Sequence, residues 1–450
     1  MLVWEGNPEV PRFVTPFKKS DVGALVVKLR NLRQVHKNIS GIGLRPEVEL
    51  LLCSARTHIG PQTAARIRAL VSQATDWRYL IAAGNSHGVL PLLYRALSQV
   101  CPDAVPAAKL EFLKVFYEFN ERRNLSLMFE LLRLLNALAE RGVCAVPFKG
   151  PVLAASIYGD LALRQFTDLD ILVHKRDILR AKDALLSEGY RPRGSANDSG
   201  SGSDCLDPNL DSDRSAPLSP NFYTFMRDDG KIIVDLQWRI TERLFSFSPE
   251  SELLWNHLER FQVRETSVIT FSPKALLLIL CAHGCKHVWE KLKWVCDVAQ
   301  TIAVISGKDR ATVLEHTLIN GNRRMVATGL LLAHELLGAT LPDDLVKNIR
   351  SDRVVTSVAT QVCRRLFADA DKSLGESKKF IFYLRTKESW AQRMHYCFQY
   401  LSRYLDSIFS PTSLERELLP LPEGLAFLHY GFRPLRLAGK YALRPFKRAH

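Results

Sequence analysis

Apolar residues recur every three or four positions through the first third and the second half of the chain, and this spacing predicts amphipathic helices. The first helical region covers residues 46–139 and ends at Arg141-Gly142, a common helix-stop signal. Helices resume near Glu252. The longest ones predicted there cover residues 273–303, 309–337, 343–368 and 389–409. Both flanks of the middle section are therefore expected to be helical.

The middle section alternates between extended and helical patterns. In residues 167–174, Leu169, Ile171 and Val173 share one face, as expected for a half-buried strand. Asp228-Asp229-Gly230 is a strong hairpin turn signal. The predicted elements are strands at 143–148 and 167–174, a hairpin at 221–240, and helices at 152–157 and 175–188. This order favours an α+β fold with a small mixed sheet of about four or five strands, flanked by helical regions.

Changes in composition along the chain predict five segments. A stretch rich in Ser, Gly, Asp and Pro at residues 194–220 has too little apolar content to pack, and is interpreted as a flexible insertion. The predicted segments are a flexible N-terminal arm at 1–44, a helical region at 45–141, an α/β core at 142–242, a helical domain at 243–430 and a basic tail at 431–450.

The composition restricts the partners and the compartment. A formal net charge of +14 favours anionic partners, although a solvated basic surface would give the same count. Nine cysteines without a CxxC pair indicate reduced thiols and a cytoplasmic protein. The N-terminus does not resemble a secretory signal, and the longest apolar run, residues 275–282, is too short to span a bilayer. We therefore expect no transmembrane segment.

Two aspartates on one predicted strand are the first candidate for chemistry. Asp168 and Asp170 stand two positions apart, so their side chains point to the same face and repel each other. A divalent cation, Mg²⁺ or Mn²⁺, relieves that repulsion and also binds substrate phosphates. Asp235 on the hairpin is the predicted third ligand. By itself an Asp-x-Asp pattern is weak, because surface strands often have polar outer faces.

The residues around these aspartates form a wider pattern. The motifs are Lys149-Gly150, Tyr158-Gly159-Asp160, Arg164, Asp168, Asp170, Val234-Asp235-Leu236-Gln237-Trp238, His283-Gly284, Lys286-His287 and residues 294–297. On these motifs the chain resembles the nucleotidyltransferase superfamily related to DNA polymerase beta. More narrowly, it resembles bacterial proteins known as uncharacterised nucleotidyltransferases, over about residues 46–300.

The resemblance implies a magnesium-dependent enzyme that uses a nucleoside triphosphate (NTP). It implies that Asp168, Asp170 and Asp235 are both the catalytic residues and the metal ligands. The residues it implies for nucleotide binding are Lys149, Gly150, Gly159, Asp160, Arg164, His283, Lys286, His287 and Trp294. At two positions the chain departs from the common pattern: Asp160 stands where the wider superfamily usually has a phosphate-binding serine, and Gln237 where a histidine is commoner.

Several of these residues have more than one interpretation. Arg164 is expected either to hold a triphosphate or to neutralise the carboxylates. A polar stripe on the predicted helix 273–303 is either a solvated face or the lining of a cleft. Its members are His283, Lys286, His287, Glu290, Lys293, Trp294 and Asp297. In the cleft, Trp294 would stack on a base and Lys286 would contact phosphate. His283 and His287 also have zinc-ligand spacing, although no third ligand is evident.

The favoured function is transfer of a nucleoside monophosphate from an NTP, with ATP as the expected donor, to the hydroxyl of an unknown small molecule, sugar or protein by a two-metal mechanism. The alternative is a catalytically inactive nucleotide- or partner-binding module in a biosynthetic cluster, and Asp160 motivates it. Binding of nucleic acid is not favoured. The basic tail is interpreted as solvated, with acidic lipid and nucleic acid as alternative partners.

Overall fold

The computed structural model describes residues 45–73, 75–193, 222–240, 252–305, 314, 323–367, 374–409, 411 and 418–442. By internal contacts the chain divides into two units, residues 1–45 and 46–450. The predicted arm at 1–44, the insertion at 194–220 and the last eight residues of the basic tail lie outside the described residues.

A five-stranded mixed sheet lies in the middle of the sequence. Its strand order is β1-β2-β5-β4-β3; β2 and β5 are parallel, and the other pairs are antiparallel. The strands are β1 (Ala145–Pro147), β2 (Asp168–Val173), β3 (Tyr190–Pro192), β4 (Phe222–Arg227) and β5 (Ile233–Gln237). The α+β prediction is confirmed, with helical regions flanking this sheet.

Helices precede, interrupt and follow the sheet. Those up to β3 are α1 (Pro46–Ser54), α2 (Pro61–Val71), α3 (Trp77–Ser86), α4 (Leu90–Val100), α5 (Ala107–Glu140), α6 (Gly150–Leu153) and α7 (Ile178–Ser187). Those after β5 are α8 (Glu252–Trp255), α9 (Pro273–Lys286), α10 (Leu292–Val304), α11 (Arg323–Leu337), α12 (Asp343–Ser351), α13 (Arg353–Leu366), α14 (Glu376–Thr386), α15 (Trp390–Phe409) and α16 (His429–Ala442). None of the described helices is both long enough and apolar enough to cross a membrane.

The alternation in β2 determines which face of the sheet is buried. Leu169, Ile171 and Val173 are completely buried, and they belong to one apolar core with Leu131 and Leu134 of α5. Because successive strand residues point to opposite faces, Asp168 and Asp170 are directed to the other face of the sheet. Packing of the three apolar side chains against α5 therefore fixes the direction of the two aspartates.

The prediction that the chain is helical from Glu252 onward is wrong over residues 258–271. Two strands, β6 (Leu258–Val263) and β7 (Thr266–Phe271), pair antiparallel in that stretch. The Thr270 hydroxyl in β7 donates to the Pro147 carbonyl oxygen at 2.7 Å, which ties this hairpin to β1. The β-branched residues of β7 carry the strand preference that the helical interpretation overlooked.

The predicted helix 273–303 is broken between α9 and α10. Trp289 lies in the break, is completely buried and has a φ of +57°. A Cβ atom on Gly284 would lie 2.3 Å from Cζ3 of its ring, and a Cβ on Gly329 would lie 3.1 Å from Cη2. The helix therefore ends before Trp289, whose indole is buried in space that is available because Gly284 and Gly329 have no side chains. The residues from His283 to Trp294 consequently do not share one helix face.

The predicted helix 343–368 is also broken, into α12 and α13. Asp352 stands between the two and accepts a hydrogen bond from the backbone N–H of Val354 at 2.9 Å. An aspartate that caps a helix N-terminus in this way satisfies a donor that the helix itself leaves unpaired. Asp352 therefore starts a new helix where the periodicity indicated a continuous one.

Candidate active site

Parallel pairing of β2 and β5 brings three aspartates to one face of the sheet. Asp170 pairs directly with Asp235, and Asp168 lies two positions before Asp170 on the same face. Neighbouring strands lie about 4.8 Å apart, so the carboxylates of Asp170 and Asp235 are close neighbours. The predicted position of Asp235 relative to the Asp-x-Asp pair agrees with this register.

Asp170 is 6% exposed and has two partners from opposite sides. The Lys149 ammonium lies 3.1 Å from its Oδ1 atom, and the Gln237 amide donates to the same atom at 2.6 Å. Lys149 is held there because it lies between β1 and the first turn of α6. Gln237 stands where a histidine is commoner, and its uncharged amide stabilises the Asp170 carboxylate by donating this hydrogen bond.

Burial and mutual repulsion disfavour ionisation of Asp168 and Asp235. Burial, followed by the charge of Asp170, raises the pKa of Asp235 to about 6, although the Thr224 hydroxyl donates to its Oδ1 at 2.8 Å. Burial and Asp170 also raise the pKa of Asp168. Within the described ranges, no three His, Cys, Asp or Glu side chains form a ready-made metal cluster. The chemistry of the three carboxylates nevertheless suits a hard divalent cation, which would relieve this repulsion.

Asp235 makes the stability of the metal-free protein depend on pH. Its folded-state pKa of about 6 lies above the ordinary value of 3.8, so the folded state gains stability as the pH falls through that interval. Above it, the ionised carboxylate opposes folding. We expect Asp235→Asn to raise the Tm at about pH 7.5 and to change it little near pH 4. Thermal unfolding in a chelating buffer tests this, and equal shifts at both pH values would contradict it.

The turn before α6 brings the chain against the start of β2. Gly150 has a φ of +55°, and a Cβ atom there would lie 3.1 Å from the Asp168 carbonyl oxygen. Both the left-handed backbone and the close approach favour glycine. Pro151 follows in the first turn of α6, where its missing N–H costs no helical hydrogen bond. Gly150 therefore positions Lys149 beside the aspartates.

Asp160 has structural partners in this protein. After Gly159, whose φ is +71°, the Asp160 carboxylate accepts from the backbone N–H of Ala162 at 2.9 Å and from the Tyr117 hydroxyl at 3.2 Å. The Arg95 guanidinium lies 3.7 Å away and offsets its charge. These contacts explain why a carboxylate is accommodated where a serine was expected. Nucleotide binding by Gly159 and Asp160 stays a prediction.

Arg164 forms a buried ion pair with Asp297 of α10. Its guanidinium donates to both carboxylate oxygens, at 2.8 and 2.9 Å, and the Tyr158 hydroxyl donates to one of them at 2.7 Å. Arg164 is 5% exposed and Asp297 1%. Arg164 therefore mainly neutralises Asp297, and its charge only partly opposes the rise in the pKa of Asp168 that burial and Asp170 cause. Direct contact between Arg164 and a triphosphate stays a prediction.

Two buried asparagines of α5 fix the loop before β2. The Asn120 amide donates to the Ala162 carbonyl at 2.8 Å, and the Asn124 amide donates to the Arg164 carbonyl at 2.8 Å. Neither asparagine was predicted as a site residue, because polar residues in a long amphipathic helix usually face solvent. Only their spacing of four residues, which places them on one helix face, was available as a signal.

Three aromatic residues of the predicted stripe pack together where α9 ends and α10 begins. The His287 ring stacks on Trp294 with centroids 4.9 Å apart, and His283 meets the Trp294 edge at 5.7 Å. Burial, followed by the charge of Lys149, lowers the pKa of His283 well below its usual value, so this ring is neutral near pH 7. The Lys286 ammonium lies 5.7 Å from the Phe222 ring centroid on β4. Trp294 is 9% exposed, so stacking on a nucleobase stays a prediction.

Lys293 belongs to the predicted polar stripe but was not among the predicted binding residues. Its stem passes over Gly88, where a Cβ atom would lie 2.8 Å from the Lys293 Cδ, and its ammonium lies 3.4 Å from the Gln165 carbonyl oxygen. Burial and the Arg164 charge lower its pKa to about 8, while Asp168 acts in the opposite direction. The helical spacing of Lys293 from Lys286 placed it in the stripe, but the sequence did not indicate its burial beside Arg164.

Comparison with known proteins identifies a family for this chain. A family model described as an uncharacterised nucleotidyltransferase matches residues 73–338, from just before α3 to the end of α11. No curated protein and no solved structure matches the chain. The matched range contains all three aspartates and the α9–α10 residues around them. Because it covers more than half of the 450 residues, the chain belongs to the uncharacterised nucleotidyltransferase family.

Proposed function

We propose that this protein transfers a nucleoside monophosphate from an NTP, with ATP as the expected donor, to a hydroxyl acceptor. The observation that carries the proposal is the convergence of Asp168, Asp170 and Asp235 on one sheet face in a member of a nucleotidyltransferase family. The acceptor oxygen attacks the α-phosphorus, the bond from that phosphorus to the bridging oxygen breaks, and pyrophosphate leaves. The acceptor proton passes to a base.

The three aspartates are proposed to hold the divalent cation. Mg²⁺ or Mn²⁺ bound there would lower the pKa of the acceptor hydroxyl and offset charge on the leaving pyrophosphate. Asp235 is proposed to promote deprotonation of the acceptor hydroxyl, because its carboxylate lies directly opposite Asp170 on the neighbouring strand. Lys149, 3.1 Å from Asp170, is proposed to contact phosphate when nucleotide and cation are bound.

Cationic side chains around the aspartates support an anionic substrate. Lys149 and Lys293 both lie close enough to Asp168 to oppose the rise in its pKa that burial and Asp170 cause. Burial lowers the pKa of His283, and the charges of Lys149 and Lys286 add to that effect. A triphosphate placed among these ammonium groups would exchange repulsion between like charges for attraction. The proposed nucleotide site therefore lies between β2, β5 and the α9–α10 break.

The position of a radioactive label tests the reaction. The protein is incubated with Mg²⁺, a bacterial small-molecule extract and ATP labelled at either the α or the γ phosphate. We expect the α label to enter a new product and the γ label to appear in pyrophosphate. Transfer of the γ label instead would show phosphoryl transfer and contradict the proposal. The other three NTPs, tested in the same way, establish which donor is preferred.

An inactive binding module is the second candidate. It is motivated by Asp160, whose carboxylate accepts hydrogen bonds from Tyr117 and Ala162 at the position of the usual phosphate-binding serine. Calorimetry separates the two candidates. Heat on addition of an NTP with Mg²⁺, together with α-label transfer, supports the enzyme. No heat with any NTP would favour a partner-binding module.

Lys293→Met tests the proposed phosphate contacts. We expect KM for the nucleotide to rise about 10- to 100-fold, the effect of losing one hydrogen bond to a charged group, with a smaller change in kcat. Lys291→Met is the matched control, because Lys291 is exposed and belongs to the same segment. Steady-state kinetics measures both, and equal effects of the two substitutions would refute a specific contact by Lys293.

A further inference from the structure

One face of α15 is apolar and exposed along the length of the helix. Apart from one adjacent pair, its residues recur at spacings of three or four, so they form a single stripe on a 20-residue helix. Their exposed fractions lie between 44% and 74%. The members of this stripe are Trp390, Met394, Phe398, Leu401, Tyr404, Leu405 and Phe409. A soluble helix normally turns such a stripe towards the core.

The opposite side of α15 is already packed. Tyr396 is 3% exposed, stacks on Phe380 of α14 with centroids 5.4 Å apart, and also contacts Tyr383. The Lys387 ammonium lies 5.7 Å from the Tyr396 ring centroid and covers it from another side. The helix is therefore fixed to the protein by one aromatic side, while its larger apolar stripe points outward.

The chain around α16 extends this exposed apolar area. α15 and α16 contact each other, so the two sets of residues belong to one region. The added residues are Leu418, Leu425, Phe427, Leu428, Tyr430 and Leu435, with exposed fractions between 45% and 73%. We call the stripe and these residues together the C-terminal apolar surface. Monomeric proteins rarely expose such a large apolar patch without a binding role.

The charge of the chain segment that contains this surface selects among possible occupants. Residues 389–450 contain nine Lys or Arg against four Asp or Glu, a net charge of +5. Six of the nine follow His429 in the sequence, namely Arg433, Arg436, Lys440, Arg444, Lys447 and Arg448. A second copy docked through the same surface would bring two such cationic segments together. An anionic lipid surface supplies the opposite charge, and its interfacial region accepts Trp, Tyr and Phe side chains.

We propose that the C-terminal apolar surface binds the anionic surface of a membrane. α15 lies flat, with its apolar stripe inserted at the boundary between headgroups and acyl chains, and the net positive charge of the segment strengthens its attraction to anionic lipid. The protein is thereby held at a membrane surface without spanning it. This binding does not depend on the proposed transfer reaction.

Sedimentation of the full-length protein with lipid vesicles tests the proposal. Vesicles of phosphatidylcholine alone are compared with vesicles that also contain phosphatidylglycerol, at low and high salt. We expect binding to the anionic vesicles, and we expect it to weaken as salt increases. Phe398→Glu should reduce that binding about tenfold or more, because it places a charge in the inserted stripe.

Phe119→Glu is the matched control, because Phe119 is 63% exposed on α5 whereas Phe398 is 70% exposed. Both variants should keep the wild-type Tm. Equal binding to neutral and anionic vesicles, binding to neither, or equal loss in the two variants would overturn the proposal. So would a dimer in sedimentation velocity that Phe398→Glu dissociates while vesicles remain unbound, since the occupant would then be a second copy.

Discussion

Asp170→Asn is expected to lower nucleotidyl transfer by about a thousandfold or more, the scale seen when a group that stabilises the transition state is removed. Asp170 is opposite Asp235 in the sheet and accepts from both Lys149 and Gln237. Asparagine keeps the size of the side chain but removes the negative charge that a divalent cation needs. The rate of transfer from α-labelled ATP measures the effect.

The control for Asp170→Asn is Asp228→Asn. Asp228 is 53% exposed in the hairpin turn between β4 and β5, where it contacts Arg191. This variant should keep full activity, and both variants should retain the wild-type circular dichroism spectrum. Undiminished transfer by folded Asp170→Asn would remove Asp170 from the proposed mechanism.

Asp297→Asn is expected to lower the free energy of unfolding by about 3–5 kcal/mol, the usual effect of breaking a buried ion pair from one side. Asp297 is 1% exposed and accepts both hydrogen bonds from Arg164 and one from Tyr158. Asparagine leaves the Arg164 guanidinium buried without a counter-charge. Urea denaturation followed by circular dichroism gives the difference.

Asp344→Asn provides the comparison for this stability loss. Asp344 is 95% exposed and contacts Lys347 on the surface of α12, so its replacement should cost less than about 1 kcal/mol. Replacing Arg164 and Asp297 together by Met and Leu should recover much of the lost stability, because no uncompensated charge then remains. A loss below about 1 kcal/mol in Asp297→Asn would contradict a stabilising role for this pair.

The parts of the fold that the sequence predicted are those with a regular local pattern. Leu169, Ile171 and Val173 alternate, so β2 was evident, and Asp228-Asp229-Gly230 marked the hairpin. The break at Trp289 was not predictable, because it depends on space provided by Gly329, which lies 40 residues further along the chain. Hydrophobic periodicity identifies the buried face of a helix but not the distant residues that pack against it.

In the candidate site, too, the residues fixed by local pattern were predictable and those fixed by distant partners were not. Asp168 and Asp170 stand on one strand, so their shared face follows from strand geometry. Asp235 required a register between two strands, which the motif resemblance anticipated. The tertiary partners were not anticipated: Tyr117 binds Asp160 across 43 positions, and Arg164 meets Asp297 across 133. Such contacts depend on helix packing, for which a single sequence carries little signal.

The burial of Trp289 has a consequence for the order in which the helices assemble. Its ring fills the space left by Gly284 in α9 and Gly329 in α11, while its backbone forms the break that leads into α10. The indole is shielded from water only when α9 and α11 both pack against it, so separation of either helix would expose the ring. We therefore expect α9, α10 and α11 to form and open as one unit rather than one after another.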